Sequence, residues 1–102
     1  MEYRLTMTIA DHGNEGAAER CLDAFLLAHP ETGPVVSIDP ALLTLSVTIA
    51  LEATDPWSAA NLASAILADG LIESGLTVTP IVDVAITAVE FEEQVRRELV
   101  PA

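Results

Sequence analysis

Lysine is absent from this chain of 102 residues, and cysteine and tryptophan occur once each, as Cys21 and Trp57. One cysteine excludes an internal disulfide and any multi-thiolate metal site within a single chain. It reads as a core filler. Without lysine, the basic residues are Arg4, Arg20, Arg96 and Arg97, against 16 acidic residues, for a formal net charge of −12. Such a surface repels phosphate backbones and anionic headgroups, which are bound by clustered Arg and Lys. Nucleic acid and membrane are therefore not expected partners. Long hydrophobic runs are also missing: 51% of the residues are hydrophobic, yet they are dispersed, and none of the runs approaches the roughly 18 needed to span a bilayer. The start, Met1-Glu2-Tyr3-Arg4, has no basic stretch followed by an apolar block, so the expected compartment is the cytoplasm.

What is present is periodicity. Met1 to Ala10 alternates, with Met1, Tyr3, Leu5, Met7 and Ile9 on one side and Glu2, Arg4, Thr6 and Thr8 on the other, which is the pattern of a half-buried strand. Asp11-His12-Gly13-Asn14 breaks the alternation, and Asn14 suits the cap of a helix running from Glu15 to about His29, with Ala18, Cys21, Leu22, Phe25 and Leu26 on one face. Val35 to Asp39 and Leu43 to Ala53 read as a hairpin turning around Asp39 to Leu42. The next stretch, Thr54 to Gly75, carries a full set of helix signals: Asp55 to cap, Pro56 for the first position and Gly75 for the left-handed end. Thr77 to Val89 completes the set as a strand that Pro80 assigns to a sheet edge. Beyond it, Phe91, Val95 and Leu99 recur every four residues beside the pairs Glu92–Arg96 and Glu93–Arg97, the pattern of a short terminal helix.

The order strand, helix, strand, strand, helix, strand predicts one α+β domain over 1–102, with a βαββαβ core over 1–89 and a helix or tail over 90–102. In architecture it resembles the ferredoxin-like two-layer sandwich: a four-stranded antiparallel sheet with two helices on one face. The first and third strands are expected in the centre, and the apolar sides of all four strands are expected against the helices. The opposite face carries Arg4, Thr6, Thr8, Ser46, Thr48, Asp83 and Thr87, a surface either wetted or packed on a second copy.

Candidate chemistry gathers at the two ends of the sheet. At one end Asp11, His12 and Asp39 could serve as acid and base or hold a divalent metal, although Asp, Asn and Gly populate such loops for conformational reasons alone. At the other, His29 closes the first helix with Glu31, Glu52 and Asp55 as neighbours, where an imidazole complements the helix dipole. No Gly-x-Ser-x-Gly elbow or phosphate-binding glycine loop is present. No cofactor and no metal is assigned.

The second helix is unusually apolar around its circumference. Trp57, Ala60, Leu67, Leu71 and Ile72 are assigned to an interface, with Ala59, Ala63 and Gly70 allowing close approach of a partner. The expected function is therefore that of a non-enzymatic homodimeric domain, acting in protein–protein interaction or small-ligand regulation. Two alternatives stand beside it. One is a small enzyme resembling the dimeric α+β barrels, using His12 with Asp11 or Asp39 over a pocket lined by Tyr3 and Met7; the other is a structural subunit of a larger assembly.

Overall fold

The computed structural model describes residues 1–90; the expected terminal helix lies outside the described residues beyond Glu90. Four strands form one antiparallel sheet in the order β2-β3-β1-β4, with β1 at Glu2–Ala10, β2 at Val35–Asp39, β3 at Thr44–Glu52 and β4 at Ile81–Ala88. Two helices, α1 at Glu15–Ala28 and α2 at Pro56–Glu73, connect them. This is the ferredoxin-like arrangement expected from the periodicity, with β1 and β3 central and β4 at an edge.

Alternation sets the register. Tyr3, Leu5, Met7 and Ile9 stand opposite Leu51, Ile49, Val47 and Leu45 of β3, and all eight are buried. A one-residue slip would turn every one of them to the other face, so the pairing is strongly specified. On that open face, Thr6 pairs with Thr48 at 2.9 Å and Thr8 with Ser46 at 2.7 Å through their hydroxyls.

Both helices are capped as their sequences predict. Asn14 Oδ1 accepts from the Ala17 N–H at 2.8 Å, and Asp55 Oδ1 accepts from the Ser58 N–H at 2.7 Å. At the end of α2 the Leu76 N–H donates to the Leu71 carbonyl and the Gly75 N–H to that of Ile72, with Gly75 at φ 76°; the paired bonds form a Schellman motif that needs a left-handed residue.

Several expectations need correction. Strand β4 begins at Ile81 rather than Thr77, because Thr77 to Pro80 is spent on other bonds: Thr79 Oγ1 donates to the Ala10 carbonyl at 2.6 Å and the Ala10 N–H to that of Pro80 at 3.1 Å. The register then shifts between Thr8 and Ile9, which pair with Asp83 and Ile81, so Val82 is the extra residue of a bulge. Leu43 is excluded from β3; it lies in the turn at φ 55° and is exposed. Leu26 is half exposed, since α1 buries the narrow line Ala17, Cys21 and Phe25. The helices also fail to cover all four strands. Helix α1 lies over β2 and α2 mainly over β3 and β1, which leaves Val84 on the helix side of β4 44% exposed.

The assigned interface divides. Leu67 and Leu71, expected to face a partner, are buried in the domain's own core, and so are Ala59, Ala63 and Gly70. Their small side chains serve internal contact: a Cβ on Gly70 would lie 2.6 Å from Cε2 of the Phe25 ring. Trp57 and Ile72 are 76% and 65% exposed, with Ala60 half-buried. The apolar surplus on α2 is real, but it lies on the flanks, at Trp57, Leu62 and Ile72.

Candidate functional site

At one end of the sheet the loop after β1 meets the hairpin between β2 and β3. Gly13 makes the approach possible, because a Cβ there would stand 2.7 Å from the backbone of Leu43 and Thr44. His12 is buried beside it, with its Nε2–H donating to the Thr77 carbonyl oxygen at 2.8 Å. That bond fixes the proton on Nε2 and ties the ring to the segment before β4. Asp39 Oδ1 accepts from the Ala41 and Leu42 N–H groups at 3.1 and 3.2 Å, closing the hairpin turn, while Asp11 is exposed at φ 68°. The three residues share an end of the fold, and two of them are engaged in holding loops. Tyr3 and Met7, expected to line a pocket there, are packed in the main core.

The opposite end offers a recess. Strand β2 pairs only with Thr44 to Thr48, so it stops short of the last residues of β3. In the space beside them lies a cleft of about 500 Å³, floored by Leu51, Leu62 and Ile66 and rimmed by Glu2, Glu31 and Glu52 with His29. A short 3₁₀ turn over Pro30–Thr32 shapes one wall, anchored where Thr32 Oγ1 donates to the His29 carbonyl at 2.8 Å. His29 follows α1 directly, as its C-terminal cap, tilted against Phe25 with ring centroids 6.4 Å apart. Its Nε2 is 3.4 Å from Asp69 Oδ2 and its Nδ1 3.8 Å from Glu31 Oε1, so acidic groups flank both ring nitrogens. The Met1 amino group lies 3.2 Å from Glu52 Oε2.

The sequence brings His29, Glu31 and Glu52 into one neighbourhood, and the structure keeps them around one cleft. Asp55, placed with them, caps α2 instead. Glu2 and Asp69 are additions that sequence reasoning missed. The signal for Glu2 was the mismatch between five residues in β2 and nine in β3, which leaves a recess where the longer strand runs on; Asp69 reaches His29 from α2 and had no such signal. Among the described residues no three His, Cys, Asp or Glu side chains stand close enough to hold a metal ion. Burial pushes the Cys21 thiol up to about 11, leaving it protonated and unsuited to nucleophilic attack. Among the described residues no helix is long and apolar enough to cross a membrane.

No family model matches the chain, and the comparison with curated proteins found no match. One solved structure, provisionally named as an antibiotic biosynthesis monooxygenase from Chloroflexus aurantiacus J-10-fl, is similar at 14% identity and a TM-score of 0.49, covering 86% of this chain and 92% of that one.

Proposed function

We propose that this domain is a non-enzymatic small-ligand-binding module whose ligand is an organic cation with an apolar body, seated in the cleft beside His29. One observation carries the reading: an apolar floor of Leu51, Leu62 and Ile66 under the carboxylates of Glu2, Glu31 and Glu52, in a volume of about 500 Å³. Ligand clefts typically enclose about 300 to 1,000 Å³ and combine an apolar lining with a few polar groups that fix orientation. The acidic rim selects the charge. The floor supplies affinity through apolar burial, worth roughly 25 cal/mol per Å² removed from water.

The test is titration of the full chain with phenethylammonium and with the neutral alcohol of the same shape, followed by methyl NMR. The ammonium is expected to shift Leu51, Leu62 and Ile66, with binding weakened by added salt and by Glu31→Gln. Equal binding of the alcohol, or unmoved methyls, would overturn the reading.

The homodimer belongs to the same proposal, with the open sheet face as its contact surface. Two observations support that face. The side-chain pairs Thr6–Thr48 and Thr8–Ser46 satisfy each other's hydroxyls, so covering them strands few polar groups; and Leu67 and Leu71 are already used in the core. Thr48→Arg is expected to halve the mass measured by light scattering, and a mass that stays dimeric sinks this part. A protein partner would use the same face, and the unpaired Cys21 suits the reducing cytoplasm.

A further inference from the structure

Strand β3 runs past the end of its outer neighbour. The ladder between β2 and β3 closes at Val35 and Thr48, and the chain before Val35 cannot prolong it, because Pro34 has no N–H to donate and Gly33, at φ 57°, turns away into the 3₁₀ turn. Among the described residues no strand lies beside the outer edge of Ala50, Leu51 and Glu52. Those three residues line the cleft together. Successive side chains of a strand point to opposite faces, so a cleft bounded by all three follows the edge of the strand and not one face of the sheet. Such an edge presents backbone donors and acceptors without a ladder partner, the template on which a further strand pairs.

We propose that the cleft takes its ligand as a short extended peptide that adds antiparallel to β3, in line with β2, with a basic residue opposite Glu52, an apolar one opposite Leu51 and a small neutral one opposite Ala50. Such a peptide is one class of the organic cation already placed in the cleft, and its docking depends on that placement. Alternation fixes the pattern. Leu51 faces the helices together with Tyr3, its partner in β1, so the peptide residue opposite it meets the apolar floor of Leu62 and Ile66. Glu52 and its partner Glu2 point to the other face, and the peptide residue opposite Glu52 joins their row. Glu52 is partly balanced by the Met1 amino group at 3.2 Å, and Glu2 and Glu31 add the charge that selects a basic side chain. Arg4 continues the row of Ala50, which favours a neutral residue there. Main-chain hydrogen bonds supply affinity in this mode, and the alternate side chains supply specificity.

The test titrates the full chain with acetyl-Arg-Val-Thr-amide and, separately, with phenethylammonium, read by methyl NMR and by amide hydrogen exchange. The peptide is expected to shift the methyls of Leu51, Leu62 and Ile66 and to slow exchange of an amide within Ala50 to Glu52. It is expected to bind about tenfold more tightly than the same peptide methylated on its backbone nitrogens, the loss that one or two hydrogen bonds would give. Phenethylammonium is expected to shift the methyls and protect no amide of that edge. If it binds while the peptide does not, if the methylated peptide binds as well as the parent, or if the peptide binds without protecting an amide, strand addition is overturned and the cation cleft stands. Methyls unmoved by either ligand overturn both readings, and so does equal binding of the peptide with Glu in place of Arg.

Discussion

Gly13 shows how little space separates the loop after β1 from the hairpin: any Cβ there would press on backbone atoms of Leu43 and Thr44, which have no rotamer to move. Gly13→Ala is expected to destabilise the fold by about 1 to 3 kcal/mol, the usual cost of overpacking, read as a lower urea midpoint with an unchanged slope. Asp55 acts through charge. Its carboxylate accepts from the Ser58 N–H, which holds its pKa below the ordinary 3.8. A folded-state pKa below the unfolded one means that this stabilisation is complete above the ordinary value and is lost as pH falls through it toward the folded one. Asp55→Asn keeps an acceptor at the cap and removes the titration. The variant is therefore expected to lose less stability than the wild type between pH 5 and pH 3, compared by denaturation at the two pH values. Caps were legible from sequence because they are local: Asn14 and Asp55 need only the N–H groups three residues on. The use of Gly13 was not, since its contact comes from a segment 30 residues away.

Helix α2 separates what periodicity can show from what it cannot. Its limits and its apolar breadth follow from Asp55, Pro56, Gly75 and the run between them. Which of its leucines faces inward does not, because an almost uniformly apolar helix has no polar side to orient it. Packing decides: Leu67 and Leu71 go inward while Leu62 stays 46% exposed, lining the cleft. Leu67→Ala is expected to cost about 2 to 5 kcal/mol through lost burial and a cavity. Leu62→Ala should cost well under half as much. Chemical denaturation of both variants checks this, and equal losses would show that the orientation of the helix is wrong.

At the scale of the molecule, 16 acidic residues against four basic ones repel each other most strongly in the compact state. Raising ionic strength from 0.01 to 0.1 M shortens the screening length from about 30 to about 10 Å, so the melting temperature is expected to rise; calorimetry at the two salt levels decides, and a fall would sink the account. The sequence by itself determined the elements, their order, the caps and the buried face of the two central strands, because each follows from neighbours in the chain or from a period of two. Tertiary structure alone decided the rest. It turned α2, left part of the helix side of β4 beyond the reach of α1 and α2, tied His12 to Thr77 and joined Glu2, His29, Glu31 and Glu52 around one cleft. These outcomes depend on how far each helix reaches across the sheet and where a short strand stops beside a long one, distances in space that no local pattern encodes.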